Sequence, residues 1–392
     1  MPLRILILHS RYLSGQMSGE NRVVEDEERL LQTAGHDVRT WTPAPSDRQG
    51  LSAVQLGSRA IWSRDAARTV RRLVRNQHSE IVHCHNLFPV LSPVVISAAS
   101  AEGAAVVMTL HNYRLLCLPA TFLRDGRPCE DCLGRLPWPG VVHACYRDSR
   151  LGSGALATSL TLHRAARTFD RVSLYLAVGR FVRDKYVQAG FPENRVAVKP
   201  SFVTAAPRRE GPGEYFLFLG RLSPEKGLGT LLRVWSRSRE RLVVAGGGPE
   251  RELLQRAPST IDYRGEMTAA DIPSLLARAR ALLLPSLSYE GAPRVVLEAY
   301  ASGVPVVASR IGGLPELIDD GGSGLLISPG DVEGWAAAVE QLADGAEAER
   351  MGERAWRLWQ QRYSPERGLE NLEAAYRAAL TRAPTTTEPV DI

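Results

Sequence analysis

Lysine is almost missing from this sequence. Of 48 basic side chains only Lys185, Lys199 and Lys226 are lysines, a bias that points to a GC-rich genome and little else. Long apolar runs are missing too, and none approaches the roughly 20 residues of a membrane-spanning helix. The opening MPLRILILHS has no extended apolar region and no cleavage site. It reads as a first strand and not as an export signal, so the expected location is cytoplasmic. Cysteine is scarce: without an export signal, the five present favour reduced thiols or a metal over disulfides. Zinc-finger, RNP and helix-turn-helix patterns are absent, and no aromatic residues interleave with the arginines, which argues against a nucleic-acid partner.

What is present points to two domains, because 392 residues exceed one ordinary core. With 44% hydrophobic and 23% charged residues, the composition is that of a soluble globular protein. Residues 1–200 hold 26 Arg and Lys against 17 Asp and Glu, and the remainder 22 against 26. The basic first half suggests an anionic partner, either a membrane surface or a phosphorylated acceptor.

The clearest pattern spans residues 281–309, ALLLPSLSYEGAPRVVLEAYASGVPVVAS. A short apolar run bounded by Pro285 reads as a buried strand. Pro293 then suits the first position of a helix, where a missing N–H costs nothing. That helix ends before Gly303, and Val304 opens a second apolar strand. The result is a βαβ unit of a parallel sheet, whose ligands bind at the carboxyl ends of the strands. Glu290 and Glu298 flank the helix start, and the N–H groups of Arg294, Val295 and Val296 suit a phosphate. A ligand with sugar hydroxyls at each end and phosphates between them fits, namely a nucleotide-sugar.

These residues resemble the retaining glycosyltransferases of family 4. The family's E-x7-E and the E-A-x-A-x-G-x-P-V-V-A run after it are matched by Glu290, Glu298, Ala299, Ala301, Gly303, Pro305, Val306, Val307 and Ala308. The loop Glu290-Gly291-Ala292-Pro293 departs from many relatives in lacking a second glycine. The resemblance extends over nearly the whole chain and implies an α/β GT-B fold, two Rossmann-like domains with parallel sheets facing across a cleft. Gly220-Arg221 and Lys226 match the family's G-R-x4-K. There, cations hold the donor diphosphate, whose charge grows as the glycosidic bond breaks. No Asp-x-Asp occurs, which agrees with cations in place of a catalytic metal. The resemblance further implies that Glu290 binds donor sugar hydroxyls, Glu298 the ribose, and His111 the sugar's other side. Gly265, Glu266 and Met267 would meet the base. Backbone groups near Gly19, Gly291, Arg294 and Val295 would assist at the phosphates. Transfer would go to an acceptor hydroxyl with retention, in surface glycan, glycolipid or secondary-metabolite synthesis. A non-hydrolysing nucleotide-sugar epimerase and a non-catalytic, cysteine-stapled binding protein are the rival readings.

Taken in order, residues 1–204 form the acceptor-side domain with a cysteine-rich insert at 112–150. A linker follows at 205–213, then a nucleotide-sugar domain at 214–363. A helix at 364–380 crosses back to the first domain, and 381–392 is a frayed tail. Residues 59–77 read as one amphipathic helix with six arginines, either packing on the sheet or docking on anionic lipid. His83 and His85 read as polar strand-end residues and not as metal ligands, because Cys84 between them points the other way. In the insert, Cys129 and Cys132 form a C-x2-C, and with Cys117 and Cys145 they would supply four thiolates to a structural zinc.

Overall fold

The computed structural model describes residues 2–11, 19–43 and 50–382. The residues just before Gly19, and nearly all of the tail, lie outside the described residues. The chain divides into two compact units, one of residues 1–120, 130–199 and 369–392, the other of 121–129 and 200–368.

In the first unit, short runs of apolar residues give six parallel strands: Arg4–Leu8 (β1), Asp37–Trp41 (β2), Ile81–Cys84 (β3), Ala105–Leu110 (β4), Leu174–Ala177 (β5) and Val196–Val198 (β6). Their order is β2-β1-β3-β4-β5-β6, so the direction of winding reverses between β1 and β3. β3 and β4 are buried at every residue, as parallel strands covered on both faces must be.

Helix Gly19–Thr33 (α1) buries Val23, Val24, Glu27 and Leu31, an apolar stripe at helical spacing with one carboxylate set into it. The single helix expected over 59–77 is two, Ala53–Ile61 (α2) and Arg64–Gln77 (α3). The break follows from Ser63, whose Oγ accepts from the N–H of Ala66 at 3.3 Å and so caps the start of α3. α3 buries Ala66, Val70 and Val74, while Arg64, Arg68, Arg71, Arg72 and Arg75 stand exposed. Its apolar stripe is thus spent on the core of its own unit, and the arginines face outward with Asp65 and Asn76.

The second unit repeats the plan with Tyr215–Leu219 (β7), Leu242–Ala245 (β8), Ile261–Gly265 (β9), Ala279–Leu284 (β10), Val306–Ser309 (β11) and Gly324–Ile327 (β12). The order β9-β8-β7-β10-β11-β12 places the reversal between β7 and β10. Helix Arg294–Ala301 (α4) joins β10 to β11 and buries Val296, Leu297, Ala299 and Tyr300. The last helix, Pro365–Leu380 (α5), begins in the second unit and buries Leu372, Tyr376 and Ala379 in the first.

Candidate active site

Two sets of polar residues sit at the carboxyl ends of strands flanking the two reversals, where open α/β sheets bind ligands. In the second unit, the turn after β7 carries Gly220, the exposed Arg221 and Lys226, and the loop after β10 carries Ser286 and Glu290. Lys226 Nζ donates to Glu290 Oε1 at 2.6 Å, and Ser286 Oγ donates to the same oxygen at 2.8 Å. Two sequence-distant motifs, the G-R-x4-K and the first glutamate of E-x7-E, are thereby brought together.

Glycines make that approach possible. Gly227 has φ +71°, and a Cβ there would lie 2.0 Å from the Pro285 carbonyl oxygen. Gly313 donates its N–H to the Glu290 carbonyl at 2.7 Å, and a Cβ on it would lie 2.1 Å from Gly291 O. The Glu290 loop is therefore clamped by backbone on both sides.

Glu298 is buried on α4, and its Oε1 accepts from Arg294 Nε at 2.8 Å. The Arg294 side chain thus belongs to the carboxylate assigned to the ribose. Of the three N–H groups expected to face a phosphate, that of Val296 is already bonded to Pro293 O at 3.0 Å. The first turn closes in 3₁₀ fashion, as helix starts often do, which removes Val296 from the expected three. Gly265 takes φ +74° and the exposed Glu266 follows it. A Cβ on Gly247 would lie 2.0 Å from Glu266 Oε1, and Met267 packs on the core. Gly291 is half-buried, and in the first unit Gly19 is the exposed first residue of α1.

The first unit gathers more than the sequence suggested. His9, His85 and His111 follow directly on β1, β3 and β4, which are neighbours in the sheet. His85 Nδ1 and His111 Nε2 are 2.8 Å apart, and both residues line a small cavity with Glu20, Asn86, Asn112 and Arg114. Behind them lies Glu27, fully buried. Its Oε1 accepts from the buried Lys199 ammonium, and its Oε2 lies 3.6 Å from His85 Nε2 and 3.7 Å from His83 Nδ1. Burial pushes the basicity of His83 and His85 well below the ordinary imidazole value, and nearby cationic groups push it the same way. His111 is pushed down to about 3, by burial first and then by Lys199 and His9. All three are neutral rings at neutral pH.

Among the described residues, Glu27, His83 and His85 form the one group of three or more such side chains whose donor atoms lie within 4.8 Å of one another. Both ring nitrogens of His83 are already engaged, with Tyr376 Oη at 2.9 Å and Thr109 Oγ1 at 2.7 Å. Glu27 is matched by an ammonium, so the group reads as a polar network and not as an open set of ligands. Cys117 is buried, Cys132 and Cys145 are half-buried, and none of the three belongs to such a group. The N–H of the half-buried Cys129 donates to Phe122 O at 2.7 Å. Within the insert, Leu118 packs against Gly140, and Arg164 donates to the Leu115 and Arg135 carbonyls. Sequence reasoning missed Glu27 and Lys199. The signal for Glu27 was its place in the apolar stripe of α1.

The family model described as Glycosyltransferase Family 4 matches residues 17–206, and that described as Glycosyl transferases group 1 matches residues 213–345. Glycogen synthase of Mycobacterium tuberculosis (strain CDC 1551 / Oshkosh) is 36% identical over 339 residues, 83% of this chain and 72% of that protein. Among solved structures, sucrose-phosphate synthase from Thermosynechococcus elongatus has a TM-score of 0.73 at 16% identity, covering 97% of this chain and 99% of its own. Anabaena HepE in complex with UDP and glucose has a TM-score of 0.64 at 18% identity, covering 95% and 99%. The two six-stranded parallel sheets are those of a GT-B fold.

Proposed function

The chain belongs to glycosyltransferase family 4, and from that premise we propose a retaining, metal-independent transfer of a glycosyl group from a nucleoside diphosphate sugar to an acceptor hydroxyl. The observation that carries this reading is the Lys226–Glu290 pair beside Arg221 at the β7/β10 reversal. An ammonium has three donors. With one on Glu290, the others are available to diphosphate oxygens, and Arg221 adds a second cation where the leaving group gathers charge. Fixed cations in a preorganised site stabilise such a leaving group without a metal. Glu290, held by Lys226 and Ser286, meets the sugar hydroxyls, and Glu298 the ribose. Gly220, Gly291 and the Arg294 and Val295 N–H groups approach the phosphates, and Gly265, Glu266 and Met267 the base.

Gly19 and the neutral His111 of the first unit take the phosphate and donor-sugar roles that the family pattern implies, and the acceptor is assigned to the first unit. No side chain in either set stands as an evident nucleophile, so attack comes on the front face, assisted by the leaving phosphate. Acceptors on an anionic membrane would be approached through the exposed arginines of α3, although no described helix is long and apolar enough to cross a membrane.

The test is a thermal-shift panel of UDP-, GDP- and ADP-sugars, followed by mass spectrometry and anomeric NMR of products from the best donor. A retained anomeric configuration and a rate unchanged by EDTA are expected. Inversion, or activity lost to EDTA and restored by a divalent ion, overturns the reading. Conversion of the donor without any acceptor would point to an epimerase.

A further inference from the structure

The polar network behind His111 has a direction. Glu27 Oε2 and His85 Nε2 are both buried, face each other at 3.6 Å and have no hydrogen-bond partner. The other nitrogen of His85 meets His111 Nε2 at 2.8 Å. Both rings are neutral, so each carries one proton, and only one nitrogen of the touching pair can be protonated. A buried carboxylate oxygen attracts an N–H and repels a lone pair, an effect strengthened by low local dielectric. The proton of His85 therefore belongs on Nε2, facing Glu27. Its Nδ1 then offers a lone pair, and His111 must donate to it through Nε2–H. What remains to His111 is the Nδ1 lone pair, an acceptor.

We propose that Glu27 and His85 are positioning residues that fix the tautomer of His111, so that it accepts a hydrogen bond from a hydroxyl of the bound sugar through Nδ1. The wider network holds the relay in place. Lys199 anchors the far oxygen of Glu27. Thr109 and Tyr376 hold His83, whose ring lies against His85 at 4.2 Å centroid distance, tilted by 39°. Asn21 Oδ1 accepts from His9 Nε2 at 2.8 Å, which sets the His9 edge against the His85 ring. The consequence is selectivity. An acceptor at this position favours a donor sugar with a hydroxyl aimed at it, and a deoxy analogue lacking that hydroxyl leaves the lone pair unmatched.

This inference rests on the reading of His111 as a donor-sugar contact, and two measurements keep them apart. Long-range proton–nitrogen NMR of the full chain labelled with 15N-histidine reads each tautomer directly, with His85→Gln and His111→Gln giving the assignments. Protons on Nε2 of both rings are expected in the wild-type protein. Glu27→Gln, or Glu27→Gln with Lys199→Met to avoid a lone buried ammonium, should abolish that preference and lower kcat about 10–100-fold, with little change in donor KM. A proton on Nδ1 of either ring in the wild type overturns the relay. So does an unchanged tautomer in a folded Glu27 variant, or one equivalent of Co(II) bound at this site and lost in His83→Gln. If His111→Ala transfers sugar at the wild-type rate while the tautomers stand as described, it is the assignment of His111 to the donor that fails.

Discussion

Each of the three lysines is paired with a glutamate: Lys185 with Glu130 at 2.7 Å, Lys226 with Glu290 at 2.6 Å, and Lys199 with Glu27. In a chain that otherwise uses arginine, a compact ammonium stands where one carboxylate must be matched without a planar fork. Alanine at Arg221 or Lys226 should lower the transfer rate roughly 10²–10³-fold, the usual cost of losing one charge-stabilising group, read by release of nucleoside diphosphate. The neutral histidines make a second expectation. His83, His85 and His111 hold fewer protons in the folded than in the unfolded chain wherever the pH lies between their two values. The stability they contribute is therefore fully present above about pH 6.5 and is lost as the pH falls, toward about 3 for His111. Below pH 6.5 each should add roughly 1.4 kcal/mol per pH unit to the acid slope. Urea unfolding from pH 7 to 4 should show a shallower slope for His111→Gln than for the wild type, and equal slopes would refute the neutral ring.

Among the elements, β10, α4 and β11 were readable from sequence because each strand holds a short apolar run, Ala281–Leu284 and Val306–Ala308, and proline marks the helix entry. α2 and α3 merged because the arginines continue across Trp62 and Ser63, and one capping hydroxyl decides the break. Glu27 lies among Glu25, Asp26 and Glu28, where charge alone does not say which carboxylate points inward. The insert is less legible for a different reason, since a C-x2-C spacing is local and the closure of four thiols is not. If the four thiolates hold a structural zinc, protein purified without metal affinity should carry close to one zinc per chain, lost in Cys129→Ser. Well under one zinc per chain, with Tm kept in EDTA and reductant, would refute the thiolate site. For α3, cosedimentation with vesicles containing anionic lipid should weaken with salt. It should drop in the Arg68, Arg71 and Arg72→Gln triple variant by about 1 kcal/mol per arginine, with folding intact because Ala66, Val70 and Val74 still pack. Equal sedimentation with neutral vesicles would leave α3 a purely packing helix.

At the scale of the whole molecule, the two sets of polar residues belong to two separately wound sheets, and the first unit also takes in most of α5. Tyr376 is fully buried in the first unit, its hydroxyl on His83, and Glu373 reaches His36 at 3.3 Å. Tyr376→Ala should cost about 3–5 kcal/mol, as for other large buried side chains. Tyr376→Phe should cost about 1–3 kcal/mol for the hydrogen bond left unmade. Urea titration reads both, and a Tyr376→Ala protein as stable as wild type would mean that α5 contributes little.

The discontinuity of the first unit also has a meaning in time. The chain leaves that unit after Lys199 and returns to it at Leu369. At roughly 5–20 residues per second on the ribosome, the intervening stretch takes on the order of 10–30 s to emerge. Throughout that interval β1 to β6 have been synthesised, while the helix that supplies His83 with its tyrosine is not yet made. The nascent first unit must wait with one wall open, its buried histidines and carboxylate reachable by water and by chaperones, until the last helix arrives to seal it.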